Sequence, residues 1–288
     1  MKGKTYIVLG VFYALMCFLC LFFAFAPIDE NDSVNDIDGI KVNEEKREIS
    51  SEVISQSSEK NEIKSTSTNN TQNTDNKKEK VLQIKKYKSP INFELLQNEN
   101  PDIYAWLFID GTEADCPILQ REGDNSYYLT HDSLGKPQKA GAIYTESEYN
   151  SRDFTDPVTV IYGHRMNSGA RFGKLEEAYC EKEEFNKHKN IVIYLPDKEL
   201  HYEVFAAVPY GNRHIFNEFD FNEKEEYDRF LQNIFSLQGV FDENITVNSR
   251  DKVIVLSTCL KWNINRRYLV LAKQTEIIKD EEYYISEE

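Results

Sequence analysis

Three side chains in this sequence have the types and positions that covalent chemistry needs: Cys259, His164 and Arg267. Cys259 ends the apolar run VIVLSTC, Arg267 opens the next run RYLVLA, and His164 directly follows a third, PVTVIYG. Short apolar runs rich in β-branched residues are typical of buried strands, so each side chain is predicted at a strand tip. A thiol attacks a carbonyl, an imidazole protonates the leaving amine, and a cation stabilises the oxyanion. The set is suited to acyl transfer.

Each of these residues also has an ordinary structural explanation. Cysteines at strand ends beside arginines occur for packing reasons, and a lone histidine is usually a surface or core residue. We interpret the other four histidines in that way: His131, His188, His201 and His214. The matching strand contexts of His164 and Cys259 favour a catalytic pair over packing alone.

The elements predicted around these residues are mostly short strands. We place them at 104–109, 114–119, 141–144, 157–162, 191–195, 200–208, 252–257 and 267–273, with the seven residues between Cys259 and Arg267 as a loop. One clear helix is predicted at 222–238, with Asn222 as its N-cap, Gly239 as its stop, and an apolar stripe of Tyr227, Phe230, Leu231 and Ile234. Many short strands without regular strand–helix alternation predict a mainly β fold, a closed or nearly closed barrel with peripheral helices.

The N-terminal segment has a different composition. Residues 5–26 carry no charge, and as a helix they would span about 33 Å, enough to cross a bilayer. Lys2 and Lys4 precede this segment, so the positive-inside rule predicts a cytoplasmic N-terminus and an extracellular domain. A cleaved signal peptide is the rival interpretation, because residues 24–26 read Ala-Phe-Ala. The length of the apolar run and Pro27 argue against cleavage.

We therefore divide the sequence into four parts: a single transmembrane anchor at 1–27, a flexible extracytoplasmic linker at 28–88, a catalytic domain at 89–276 and an acidic tail at 277–288. The linker is rich in Ser, Asn, Thr, Lys and Glu, and it has too few large apolar side chains to offset its ordering entropy. The tail is expected to be a solvated end.

Charge and cysteine content narrow the function further. A net charge of −15 and the lack of a basic stripe argue against a nucleic-acid partner. Outside the predicted anchor the cysteines are Cys116, Cys180 and Cys259, an odd number that leaves at least one thiol without a disulfide. Cys116 and Cys180 are interpreted as inert packing or as a mutual disulfide. None of these three cysteines forms a Cys-x-x-Cys pair, so we expect no zinc, other metal or cofactor.

Over about residues 91–274, the sequence resembles the sortases, and specifically the class B sortases. The resemblance is carried, in the family's order and spacing, by NPDIYAWLFIDGTEADCPILQ, YYLTHDSLGKPQKAGAIY, VIYGHRMNSGARFGKL and VLSTC followed by RYLVLAK. Leu-Ser-Thr-Cys plus Arg together with Tyr-Gly-His-x-Met is a specific combination. A helix before the cysteine strand, here 222–238, is also a class B trait.

The resemblance implies an eight-stranded sortase barrel and a membrane-anchored cysteine transpeptidase of a Gram-positive cell surface. By the family pattern, Cys259 attacks the carbonyl after the Thr of a C-terminal sorting signal, and His164 is the general acid and base. Arg267 orients the substrate and stabilises the oxyanion; we prefer it to Arg266 because the apolar strand follows it directly, as in the family. An amine of the peptidoglycan precursor then resolves the thioacyl intermediate.

The expected partners follow from this chemistry. They are surface proteins that bear a sorting signal, the peptidoglycan precursor amine, and the membrane through the N-terminal helix. The expected substrate contacts are Ser257, Thr258 and Tyr162. Two other functions remain open: an exported cysteine peptidase in which water resolves the thioester, and a non-catalytic surface binding module.

Overall fold

The computed structural model describes residues 80–166, 171–261 and 263–286. The predicted membrane anchor and nearly all of the predicted linker lie outside these residues. Among the described helices, none combines the length and the apolar character that a membrane crossing requires.

The described residues form many short strands and a few short helices. The strands are β1 (Lys80–Lys85), β2 (Ile103–Ile109), β3 (Asp115–Leu119), β4 (Ile143–Tyr144), β5 (Val158–Tyr162), β6 (Asn190–Tyr194), β7 (Lys198–Tyr210), β8 (Val240–Phe241), β9 (Val253–Leu260), β10 (Asn263–Lys279) and β11 (Glu281–Ser286). The helices are α1 (Phe93–Glu99), α2 (Leu175–Tyr179), α3 (Lys182–Lys187), α4 (Ile215–Glu218) and α5 (Lys224–Ser236), with a 3₁₀ turn at Tyr127–Leu129. Every strand predicted from an apolar run is present.

Eight of the strands close into a barrel. Their order around the barrel is β2, β3, β4, β5, β9, β10, β7, β6 and back to β2. The closing contact is the long antiparallel pairing of β10 with β7, from Arg267 opposite Tyr210 to Lys279 opposite Lys198. Closure leaves no unpaired edge in the ring. The predicted mainly β fold, a closed eight-stranded barrel with peripheral helices, is confirmed.

Side-chain alternation along the strands builds one core on each face of the barrel wall. In β9, Ile254 and Leu256 belong to the cluster that fills the barrel, whereas Val253 and Val255 belong to a second cluster on the outer face. Successive residues of a strand point to opposite faces. Ser257 and Cys259 therefore continue the outward-facing series.

Helix α5 covers the outer face of this wall. Its buried residues, Tyr227, Phe230, Leu231 and Ile234, are the predicted apolar stripe, and they pack in the same cluster as the outward-facing side chains of β9. The helix begins two residues later than predicted, and Asn222 is not its N-cap. The reason is local: the backbone N–H and the side-chain amide of Asn222 both donate to Asp220 Oδ1, and Glu223 takes the cap position.

The two ends of the described chain pair with each other. β1, from the predicted linker, runs antiparallel to β11, from the predicted tail, with Lys85 opposite Glu281. The barrel strand β10 also continues into the tail as far as Lys279. The predicted tail therefore contains strand structure, which agrees with the strong strand propensity of Tyr283-Tyr284-Ile285.

Candidate active site

Cys259 lies near the end of β9 on the outer face of the barrel. The strand is buried from Val253 through Thr258, and Cys259 is its first partly exposed residue. The buried part of the strand anchors it in both cores. The thiol is thus carried by a rigid element and reaches the surface.

Arg267 is the residue directly opposite Cys259 on the neighbouring strand β10. Its Nη1 donates a hydrogen bond to Cys259 Sγ at 2.9 Å. Adjacent residues of a strand point to opposite faces, so only one of two consecutive arginines can face the thiol. The structure places Arg267 there and leaves Arg266 exposed to solvent.

A hairpin, rather than the expected seven-residue loop, connects Cys259 to Arg267. β9 continues to Leu260, which pairs with Asn263 at the start of β10. The register then shifts between Asn263 and Arg267. Such an irregularity is a bulge, which absorbs extra residues and re-aims side chains near a site. The bulge takes up the residues between Asn263 and Arg267, so that Arg267 lies opposite Cys259.

His164 follows β5, which runs parallel to β9. The register pairs Tyr162 with Ser257, and Gly163 N–H donates to Ser257 O at 3.1 Å. His164 and Cys259 lie two residues beyond this pair on their respective chains, and adjacent strands are about 4.8 Å apart. The two side chains therefore start from neighbouring strand ends. Among the contacts of the described residues, none joins the two side chains directly.

A backbone carbonyl orients the His164 ring. Nε2 lies 2.9 Å from Leu129 O, at the end of the 3₁₀ turn. A carbonyl oxygen only accepts hydrogen bonds, so Nε2 carries the proton of the neutral ring and Nδ1 has the free lone pair. Gly141 makes room for this contact: its φ is +60°, and a Cβ there would lie 2.9 Å from Leu129 O and 3.0 Å from His164 Cδ2.

A pocket of about 90 Å³ lies beside Arg267. Its lining includes two of the three predicted substrate contacts, Ser257 and Tyr162. The third, Thr258, is only 2% exposed and sits between two outward-facing residues, so its side chain points into the barrel. Strand alternation thus removes the Thr258 side chain from the predicted contacts.

His214 and Glu146 form a polar pair at this pocket that sequence reasoning missed. His214, interpreted above as an ordinary histidine, lines the pocket, and its Nε2 lies 2.7 Å from Glu146 Oε2. Tyr162 Oη is 3.4 Å from the same nitrogen. Burial raises the pKa of the Glu146 carboxyl above its ordinary value, an effect that the neighbouring His214 opposes. The two residues come from distant loops, so no sequence pattern connects them.

The remaining cysteines of the described chain are not joined in a disulfide. Cys116 is buried in the barrel core, which agrees with the packing interpretation. Cys180 is exposed at the end of α2. Partial desolvation of its sulfur and the negative charge of the nearby Glu181 raise the pKa of the Cys180 thiol. Cys259 is therefore the cysteine whose surroundings suit nucleophilic chemistry.

The fold and site together define the class of protein. A partly exposed thiol, a guanidinium in contact with it and an imidazole at the neighbouring strand end are the parts of a cysteine acyl-transfer site on a closed β-barrel. Residues 107–275 match the family model described as the Sortase domain. The chain belongs to the sortase family, and its relatives place it in class B.

Several class B sortases resemble this chain. Sortase B of Listeria monocytogenes is 34% identical over 164 residues, 57% of this chain and 65% of that protein, so the chain spans just under two thirds of this relative. The structure of Clostridium perfringens sortase B matches with a TM-score of 0.59 at 29% identity, over 64% of this chain and all of that one. A Staphylococcus aureus sortase B–substrate complex matches with a TM-score of 0.56 at 27% identity, over 65% and 84% of the two chains.

Proposed function

We propose that the chain is a membrane-anchored sortase transpeptidase. It cleaves an exported protein after the Thr of a C-terminal sorting signal and transfers the protein to an amine of the peptidoglycan precursor. The observation that carries this proposal is the 2.9 Å contact between Arg267 Nη1 and Cys259 Sγ, next to the strand end that bears His164. The solved sortase B structures include a substrate complex and a complex with Gly3, which supports a peptide donor and an amine acceptor.

Formation of the thioacyl intermediate is the first half-reaction. Cys259 Sγ bonds to the carbonyl carbon of the Thr, and the peptide C–N bond breaks. The thiol proton passes to His164 Nδ1 as the sulfur attacks, and His164 then donates this proton to the departing amine. Because the guanidinium of Arg267 already contacts the sulfur, it lies within reach of the oxygen on the attacked carbon, where negative charge develops. The pocket with Ser257 and Tyr162 on its wall lies beside this point and receives part of the signal peptide.

Resolution of the thioester is the second half-reaction. The acceptor amine attacks the same carbonyl carbon, a new C–N bond forms, and the C–S bond breaks. His164 now removes a proton from the amine, the reverse of its first role, and passes it to the Cys259 sulfur as the C–S bond breaks. The hydrogen bond to Leu129 O holds the ring in one tautomer, so Nδ1 is the nitrogen that exchanges the proton.

The N-terminal segment gives this enzyme its location. Residues 5–26 are uncharged and follow two lysines, which supports a single-pass anchor with a cytoplasmic N-terminus and an extracellular domain at 89–276. Exported substrates are still held at the membrane when they are sorted. Anchoring enzyme and substrate to one surface raises their effective concentration.

Product analysis with and without an amine tests the proposal. The full chain in detergent is given a library of sorting pentapeptides, and mass spectrometry follows cleavage and ligation. We expect cleavage after Thr, an amine-ligated product when triglycine is added, and no reaction by Cys259→Ala. Hydrolysis that triglycine neither accelerates nor diverts would indicate a peptidase. Peptide binding without turnover would indicate a binding module.

A further inference from the structure

Helix α2 carries two adjacent carboxylates, Glu176 and Glu177, that have no role in the chemistry above. The helix is fixed to the barrel by Leu175 and Tyr179, both buried in the interior cluster. Tyr179 Oη also donates to His188 O at 2.6 Å. The two carboxylates are therefore presented from an element that is firmly attached to the core.

Both carboxylates bind Lys261, two residues after Cys259. The backbone N–H of Lys261 donates to Glu176 Oε2 at 2.8 Å. The side-chain Nζ of Lys261 donates to Glu177 Oε1, also at 2.8 Å. A main-chain and a side-chain contact together fix the start of the hairpin that follows the nucleophile.

Glu177 also reaches the segment that follows His164. Arg165 is the next residue after the histidine, and its Nη2 lies 3.7 Å from the same Glu177 Oε1 that binds Lys261. The Arg165 side chain is 14% exposed and the Glu177 side chain is 49% exposed, so the pair is only partly screened by solvent. The hydrogen bond from Lys261 and the charges of both cations hold the pKa of the Glu177 carboxyl below its ordinary value.

We propose that Glu177, with Glu176, is a positioning residue that ties the His164 segment to the Cys259 hairpin. The need for such a tie follows from the site itself, because the contacts of the described residues include none between the imidazole and the thiol. Proton transfer between groups that are not in contact depends on the relative placement of their backbones, and misplacement by about 1 Å can cost large factors in rate. This inference rests on the proposed function, since it concerns the alignment of the same catalytic pair.

Steady-state kinetics of the full chain, with a peptide that the wild type cleaves, tests the role of Glu177. Glu177→Gln removes the charge that pairs with both Lys261 and Arg165, so it should lower kcat by about fivefold, within reach of what partly exposed ion pairs contribute, with KM and the melting temperature unchanged. Lys261→Gln should have the same effect, whereas Lys261→Arg should keep most of the activity. The double variant, Glu177→Gln with Lys261→Gln, should be no slower than either single variant. Raising NaCl from about 0.05 to about 0.5 M should slow the wild type but not Glu177→Gln.

Glu184→Gln is the matched control. Glu184 pairs with Lys187 at 2.6 Å on α3, and its side chain is 44% exposed, close to the 49% of Glu177. The control should behave as the wild type. Equal kcat values for Glu177→Gln and Glu184→Gln, or losses that multiply in the double variant, would overturn the positioning role while leaving the proposed function intact. A wild type that cleaves no peptide would instead refute the proposed function.

Discussion

Replacing Arg267 by Lys should lower turnover of a sorting peptide by about 10²-fold or more. Arg267 Nη1 lies 2.9 Å from Cys259 Sγ and is thus placed to donate to the oxygen of a carbonyl bonded to that sulfur. Loss of one oxyanion donor costs about 10²- to 10³-fold in kcat, or about 2.7–4 kcal/mol. Lysine keeps the charge but has no planar fork, so it cannot donate to sulfur and oxyanion together. Because lysine retains the positive charge, the loss in kcat should lie at the lower end of that range.

The assay measures kcat and KM for peptide cleavage, with the products separated by chromatography. It compares Arg267→Lys with the neighbouring Arg266→Lys. Arg266 is exposed and belongs to the opposite face of β10, so its substitution should change kcat/KM by no more than about twofold. Melting curves of both variants should match the wild type. A large loss in Arg266→Lys with near-normal Arg267→Lys would refute the assignment of the guanidinium.

Three further predictions concern the thiols and one glycine. Cys259→Ala should abolish turnover but change the free energy of unfolding by no more than about 1 kcal/mol, because the thiol is only partly buried. A cleavage assay and a denaturation curve check the two parts. Residual cleavage would contradict the assignment of Cys259 as the nucleophile. Gly141→Ala should destabilise the fold by about 1–3 kcal/mol and lower kcat, since the new Cβ would meet Leu129 O and the His164 ring. A melting curve and a turnover rate equal to those of the wild type would disprove the need for glycine at this position. Cys180 has a raised thiol pKa, so its alkylation by iodoacetamide should be slow at pH 7 and rise with pH as the thiolate forms; peptide mapping showing fast, pH-independent labelling would contradict that.

Local sequence patterns predicted the barrel strands because each contains a short apolar run. β9 is an example: its alternating core residues are visible in VIVL, although the strand runs on through the small residues Ser257 and Thr258 to Leu260. β8 has only two residues, and β1 and β11 depend on each other. These three strands form because a partner strand is in place, so a periodic pattern of apolar residues in the sequence did not predict them.

The candidate site divides in the same way. Cys259 and His164 could be found because residue type and strand-end position are properties of the sequence. The Leu129 carbonyl could not, because every residue has one and only the fold selects it. The contacts of Glu177 and His214 likewise join segments far apart in the chain. Strand alternation, in contrast, could have excluded the Thr258 side chain, since it follows Ser257 on the same strand.

The thioacyl bond to Cys259 is the most direct quantity to measure. Full-length protein is mixed with a cleavable sorting peptide, quenched in acid and examined by intact-protein and peptide-mapping mass spectrometry. We predict an added mass equal to the peptide fragment ending in Thr, located on Cys259, removed by hydroxylamine or triglycine, and absent from Cys259→Ala. Turnover without any such adduct, or an adduct on another residue, would contradict a sortase mechanism at this site.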